Sequence, residues 1–273
     1  MFRTEESNSN FALGMKTLKL IYHATVRDVR KNHDNAIIGL VMNILQTVIF
    51  VAAFFAMFSF LGMRGAAIRG DFLLYIMTGI FLFLTHTKAM GAVVGSEGPA
   101  SPMMKHRTMN TMIAICAAAF SSLYIQVLSM VVVLGVYHLA FQPITIYDPV
   151  GAMEMVLLAW LTGVAIGMVF LAMKPWSPGF TKLASTIFSR ANMIFSGKMF
   201  VANQLPSSML AIFSWNPLFH TIDQARGYTF INYYPQNSSS TYPLYLAIAF
   251  LMLGLMGEFY TRKRASASWG AKL

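Results

Sequence analysis

The sequence is poor in charge and in cysteine, and it lacks the common motifs of soluble enzymes. Only 11% of its 273 residues are charged, whereas soluble domains carry about 25%. The single cysteine, Cys116, cannot form an internal disulfide and has no metal-ligand spacing around it. No G-x-x-x-x-G-K motif followed by Ser or Thr is present, so we expect no ATP hydrolysis by this chain alone. The H-E-x-x-H and G-x-S-x-G signatures are absent as well.

Long apolar runs occupy most of the chain. Hydrophobic residues make up 56% of it, and they form six stretches separated by short polar breaks. One apolar run fits a soluble core, but six are typical of a membrane protein that crosses the bilayer repeatedly. We predict an all-α membrane protein with six spans, at about 36–61, 72–94, 111–141, 153–173, 183–201 and 243–260.

The fifth predicted span is the weakest, because it contains Arg190 near one end and Lys198 near the other. A basic residue at the centre of a span costs about 2.5–3.5 kcal/mol on insertion scales. We therefore expect this span to need neighbouring helices or to face a polar cavity.

The basic residues predict the orientation. The net charge is +10, which would also fit a nucleic-acid partner, but the Lys and Arg residues lie at the ends of the apolar runs. Sixteen of the 20 fall on one side of the predicted spans, so the positive-inside rule places both termini and the loop 95–110 in the cytoplasm. The start of the chain lacks the pattern of a cleavable signal peptide, so we expect the first span to direct insertion.

Two segments outside the spans have helical patterns. Apolar residues recur in steps of three and four from Phe11 to Val29, with basic residues between them. This pattern predicts an amphipathic interface helix, so we divide the chain into a cytoplasmic tail with that helix, 1–31, and a permease domain, 32–273. In the loop 95–110, Ser101 followed by Pro102 is a good helix start, which predicts a short helix to about Met109.

The region 202–240 is neither a clean span nor a clean loop. Its two short apolar pieces are separated by Trp215-Asn216-Pro217. Because Pro disfavours the helical conformation in the residue before it, we predict two short helices in a re-entrant region at about 205–235. Asp223 and Arg226 are three residues apart, a spacing that allows them to pair on one helical face. From the sequence, these two residues have two possible roles: a salt bridge that closes a loop, or part of an extracellular gate.

One part of the sequence resembles a known family. Ser196-Gly197, Leu205-Pro206, Asn216-Pro217-Leu218, His220, Asp223 and Arg226 are similar to the C-terminal motif of permease subunits of ABC-type polysaccharide exporters. That family handles capsular polysaccharide, O-antigen and teichoic acid. The resemblance covers about 30 residues in motif and almost the whole chain in layout.

The resemblance implies a transport permease rather than an enzyme. Its fold would have an interface helix, six spans, a cytoplasmic coupling helix and a re-entrant extracytoplasmic region. The subunit would work in the bacterial cytoplasmic (inner) membrane as a homodimer, among membrane lipids, with a separate nucleotide-binding ATPase subunit. ATP and Mg would lie on that partner, with no cofactor in this chain. A periplasmic or outer-membrane export component is a further partner that the resemblance allows.

Two sets of site residues are implied by the same resemblance. The ATPase-coupling set is Ser101, Pro102, Met103, Met104, Lys105, His106 and Arg107. The extracytoplasmic gate set is Trp215, Asn216, Pro217, His220, Asp223 and Arg226.

The sequence is also compatible with two other functions. One is an ABC-type exporter of a lipid or drug, which the layout alone permits. The other is an ion-coupled secondary transporter or intramembrane enzyme that uses Lys88, Lys198 or Glu258 directly. Ion-coupled carriers usually show paired repeats, and this sequence shows none.

Overall fold

All regular secondary structure in the described part of the chain is helical. The structure, a computed structural model, describes residues 10–31, 36–60, 62, 68, 70–96 and 111–270. The predicted helix after Ser101 and the whole ATPase-coupling set lie outside these residues. Within them, a 3₁₀ helix at Ala202–Gln204 accompanies α1 (Asn10–Lys31), α2 (Ala36–Phe60), α3 (Phe72–Gly95), α4 (Thr111–Ala140), α5 (Pro149–Met173), α6 (Pro178–Phe195), α7 (Ser207–Phe213), α8 (Pro217–Thr229) and α9 (Thr241–Gly270).

Five of these helices, α2, α3, α4, α5 and α9, are long and apolar enough to cross a membrane. The prediction of an all-helical, multi-pass membrane protein is therefore confirmed at this level. The count of six spans is not, because α6 is not among the five.

The helix α6 differs from the predicted span at 183–201. It begins at Pro178 and ends at Phe195, because the next residues turn away from its axis. Gly197 has a φ of +71°, and a Cβ atom there would lie 2.5 Å from the ring of Phe219. Only glycine fits this left-handed turn without strain, so the helix cannot continue to Val201.

Two other helices extend beyond the predicted spans. α5 begins at Pro149 rather than at 153, because the Asp148 carboxylate accepts hydrogen bonds from the backbone N–H groups of Val150 and Gly151, both at 3.0 Å. This is a typical N-cap with Pro at the first helical position. α9 runs to Gly270 rather than ending near 260. The basic residues 262–264 end its apolar part, but Lys and Arg are good helix formers.

The helices α3 and α5 form the interior of the bundle. Of their apolar stretches, 78% and 72% are buried, against 22% to 28% for α2, α4 and α9. Two glycines of α5 lie directly against the backbone of α3. A Cβ atom on Gly163 would lie 2.3 Å from the carbonyl oxygen of His86, and one on Gly167 would lie 2.9 Å from that of Met90. Small residues at this spacing allow such a close approach of two helices.

The amphipathic helix α1 packs along α4. Ser121 of α4 donates a hydrogen bond to the Asp28 carboxylate at 2.6 Å. The apolar side chains of Phe11, Leu18 and Tyr22 are exposed. This arrangement leaves an apolar stripe for the membrane surface, a position that stays a prediction.

Candidate functional site

Several residues of the family-like motif, Gly197, His220, Asp223 and Arg226, meet in one hydrogen-bonded unit beside α3. We call this unit the Arg226 clasp: the loop 196–200, α8, and the segment 233–239. Arg226 is fully buried in it. Its Nη1 donates to the carbonyl oxygens of Gly197, at 3.0 Å, and Phe200, at 2.5 Å. Its Nη2 donates to that of Lys198 at 2.7 Å. The guanidinium therefore fixes the backbone of the loop that follows α6.

Arg226 also joins the clasp to the bundle interior. Its guanidinium carbon lies 4.2 Å from the ring centroid of Tyr75 in α3. A cation this close to an aromatic face is attracted by it. On the same face of α3, a Cβ atom on Gly79 would lie 2.9 Å from the carbonyl oxygen of Lys198. The loop 196–200 is thus held between α8 and α3.

Asp223 and Arg226 bind different groups rather than each other, so the pairing that their spacing allows is not formed. The Asp223 carboxylate accepts hydrogen bonds from the hydroxyls of Tyr233, at 2.5 Å, and Ser238, at 2.6 Å. It also accepts one from the backbone N–H of Ala202 at 3.4 Å. Burial raises the pKa of Tyr233, and the Asp223 charge raises it further. The tyrosine therefore stays protonated and keeps donating, which ties the segment 233–239 to α8.

His220 links α8 to the segments on both of its sides. Its Nε2 donates to the carbonyl oxygen of Ser214 at 2.8 Å, and its Nδ1 accepts from the backbone N–H of Ser239 at 3.1 Å. These bonds require the neutral ring with its hydrogen on Nε2. Burial lowers the pKa of His220, which favours the same neutral form. His220 is therefore a structural connector here.

The Trp215-Asn216-Pro217 break separates two helices, as its sequence predicts. Asn216 is the N-cap of α8, since its side-chain oxygen accepts from the backbone N–H of Leu218 at 3.0 Å. Pro217 occupies the first turn, which suits its fixed φ. Trp215 stands apart from the rest of the gate set, because 78% of its surface is exposed. The other five residues of that set lie in α8 or cap it.

Lys198 has an environment that its sequence position does not reveal. Its side chain is buried and its Nζ makes no hydrogen bond among the described residues. The ammonium instead lies 3.7 Å from the ring centroid of Phe83, 4.7 Å from that of Phe54 and 5.8 Å from that of Phe50. Cation–π attraction to three rings thus connects the clasp to α2 and α3. The sequence gives only one sign of this aromatic site, the four-residue spacing that places Phe50 and Phe54 on one face of α2.

A chain of polar side chains crosses the bundle from α5 to α8. His86 is fully buried in α3, and its Nδ1 lies 3.0 Å from the Thr162 hydroxyl of α5. Its Nε2 lies 3.4 Å from the Nδ2 of Asn192 in α6. The Oδ1 of Asn192 accepts from the Nδ2 of Asn216 at 2.7 Å. Sequence reasoning missed this chain because its members are far apart in sequence.

A second polar group, the Lys88 cluster, lies between α2, α3 and α4. The Nζ of Lys88 donates to the side-chain oxygens of Asn43 at 2.7 Å and Gln46 at 2.5 Å. The Nδ2 of Asn43 donates to Gln126 at 2.6 Å and to Ser129 at 2.8 Å. Charged groups within spanning helices are rare and often mark functional sites.

Comparison with known proteins does not identify a family. No protein-family model and no curated protein matches the chain. The evidence on function therefore comes from the Arg226 clasp and the Lys88 cluster. Within the described ranges, no three His, Cys, Asp or Glu residues come together in a way that could hold a metal ion. The polar side chains of Arg226, Asp223 and His220 each bind groups of neighbouring segments, so the geometry of the clasp suits holding segments together.

Proposed function

We propose that this chain is the transmembrane subunit of an ATP-driven exporter that moves polysaccharide or a lipid-linked glycan out across the bacterial cytoplasmic membrane. Both termini lie in the cytoplasm. The subunit works as a homodimer with two copies of a cytoplasmic ATPase, which holds the ATP and Mg. The sequence carries no ATP-binding loop, so the energy has to come from such a partner.

The observation that carries this proposal is the convergence of the family-like residues. Gly197, His220, Asp223 and Arg226 are spread over about 30 residues, yet they meet in one clasp against α3. Residues that share one hydrogen-bonded unit act as a single part, and this convergence supports the proposal.

The geometry also offers a route from the ATPase to the clasp. The helix α3 ends at Gly95, next to the loop 95–110, and carries Tyr75 near its other end. Its 24 residues span about 36 Å. In the proposed mechanism, ATP binding by the partner pushes the coupling residues 101–107 and α1. The buried helix α3 then moves as a rod and shifts Arg226, and with it the gate residues Asn216, His220 and Asp223.

The test is co-purification of the tagged chain from its native membrane in mild detergent. We expect a stoichiometric soluble ATPase, with ATP hydrolysis that changes when residues 101–107 are replaced by a Gly-Ser linker of equal length. Replacing the exposed Lys182 by Met serves as the control and should leave hydrolysis unchanged. Purification of the chain alone as a stable particle, or normal export after deletion of residues 96–108, would contradict the proposal.

The Lys88 cluster favours a second candidate, an ion-coupled secondary transporter. A charged residue with amide partners inside spanning helices suits binding and release of an ion. Proteoliposomes that contain only this chain distinguish the two functions. Solute uptake driven by an ion gradient without ATPase, and lost in Lys88→Met, would support the carrier. The ABC-type exporter of a lipid or drug is distinguished by its cargo once an ATPase has been found.

A further inference from the structure

The Lys88 cluster places a positive charge below the membrane surface. Lys88 lies seven residues before the end of α3, and Asn43 lies seven residues after the start of α2. Each is therefore about 10 Å inside its helix. Lys88 bonds to two amide oxygens rather than to a carboxylate, among the residues that the structure describes. Its charge is solvated by dipoles but not neutralised, so an anion is the missing complement.

The cluster also holds hydrogen-bond donors that nothing in the described chain uses. An ammonium group has three N–H donors, and Lys88 uses two of them, on Asn43 and Gln46. Gln46 accepts the Lys88 bond with its Oε1. The Nε2 of the same side chain carries two more N–H donors. Asn43 gives both its donors to Gln126 and Ser129. The open donors are thus those of Lys88 and Gln46.

The surroundings of Gln46 indicate from where an anion would arrive. Gln46 is exposed, and the same part of α2 exposes the large apolar side chains of Met42, Leu45 and Ile49. A small hydrated anion is poorly suited to reach a site bordered by exposed apolar residues, since burying a bare charge is costly. A lipid phosphate carries its own apolar chains to such a site and supplies several acceptor oxygens.

We propose that the Lys88 cluster binds the phosphate group of an anionic lipid whose chains lie along the exposed apolar face of α2. Lys88 supplies the charge and one N–H donor, and Gln46 supplies two further donors. Asn43, held by Gln126 and Ser129, positions Lys88. This site follows from its own residues and is independent of the proposed export function.

The test measures binding of radiolabelled dioleoyl phosphatidic acid to the full-length protein in dodecyl maltoside, a detergent without phosphate. Dioleoylglycerol, with the same chains and no phosphate, should compete roughly tenfold less well or worse, as expected for loss of hydrogen bonds to a charged group. Lys88→Met should weaken binding by a similar factor. Lys182→Met, which removes an exposed lysine on α6, should leave it unchanged.

Gln46→Leu separates binding from folding, because the Gln46 side chain is exposed and Lys88 keeps its bond to Asn43. We expect several-fold weaker binding in this variant, and it decides the question if Lys88→Met does not fold. Unchanged binding in Gln46→Leu, or in a folded Lys88→Met, would overturn the proposal. Displacement of the lipid by inorganic phosphate at equal concentration would also overturn it, since the site would then select free phosphate.

Discussion

The helices α2 and α5 have the same length and nearly the same apolar character, but they occupy different places in the bundle. Only 22% of the apolar stretch of α2 is buried, against 72% of that of α5. Lipid is as apolar as a leucine side chain, so hydrophobicity alone does not bring one spanning helix against another. Apolarity places both helices in the membrane, and the fit of their surfaces decides which of them lies inside.

That fit depends on residue size. α5 presents Gly163, Gly167 and the fully buried Ala159 and Ala165 to its neighbours, which lets backbones approach closely. α2 exposes large side chains such as Met42 instead. The interior layer, α3 and α5 with the Arg226 clasp, therefore owes its stability to close packing and directed hydrogen bonds. The peripheral layer, α2, α4 and α9, leaves its apolar surface for lipid or for another subunit.

The largest expected effect comes from Arg226 in the interior layer. Arg226→Met leaves the carbonyl oxygens of Lys198 and Phe200 without a donor, while that of Gly197 keeps the backbone N–H of Phe200. Each unsatisfied buried group costs about 1–3 kcal/mol. We expect a loss of about 2–6 kcal/mol in the free energy of unfolding, seen as a strongly lowered Tm by circular dichroism in detergent. Arg190→Met, at an exposed position of α6, is the matched control. Equal Tm values for the two variants would contradict the structural role of the clasp.

A pair of leucines tests the two layers directly. Leu82 of α3 is buried, and Leu45 of α2 is half exposed. Leu82→Ala should lower the free energy of unfolding by about 2–5 kcal/mol, the usual range for a buried leucine. Leu45→Ala should cost less than about 1 kcal/mol, because half of its side-chain surface has no packing partner in the bundle. Similar losses of thermal stability in both variants would remove the distinction between the layers.

A pair of glycines sharpens the comparison further. Gly163→Ala puts a Cβ atom 2.3 Å from the carbonyl oxygen of His86, whereas a Cβ atom on Gly135 of α4 meets nothing within 4 Å. Overpacking of this kind costs about 1–3 kcal/mol, and Gly135→Ala should be neutral or stabilising, since Ala favours helix by up to about 1 kcal/mol. Thermal unfolding of the two variants should differ in direction. A neutral Gly163→Ala would show that α3 and α5 can separate easily.

The smallest effect is expected at the break between α7 and α8. Asn216→Ala removes the N-cap of α8 and the hydrogen bond to Asn192, and it should cost about 1–2 kcal/mol. The neighbouring Trp215→Ala changes a side chain that is mostly exposed and should stay within about 0.5 kcal/mol. Chemical denaturation in detergent can resolve this difference. The reverse order would place Trp215, rather than Asn216, in the packed part of the clasp.

Local signals in the sequence were sufficient to predict several features of the fold. α2, α3 and α4 begin at Ala36, Phe72 and Thr111, where the apolar runs begin. The break at Asn216-Pro217 also follows from local chemistry, since Asn caps a helix and Pro suits its first turn. Such features depend on a few neighbouring residues and are therefore visible in one sequence.

Other features depend on partners distant in sequence and could not be predicted. The end of α6 depends on Gly197 turning against Phe219, and Arg226 binds backbone carbonyl oxygens, which have no sequence signature. The three-residue spacing allowed a pair with Asp223, but helical neighbours need not bind each other when better-placed acceptors are near. The Gly163 and Gly167 spacing in an apolar helix was a readable signal of close helix packing that sequence reasoning did not use.

The loop 196–200 is attached in two mechanically different ways. Arg226 holds its backbone through three directed hydrogen bonds, and the planar guanidinium allows them in only one orientation. Lys198 is held by ring faces of Phe50, Phe54 and Phe83, and a compact ammonium is attracted to such faces in many orientations. The first attachment fixes the orientation of the loop, and the second does not. The loop 196–200 thus has a fixed orientation relative to α8, while its contact with α2 and α3 does not depend on one orientation of the lysine.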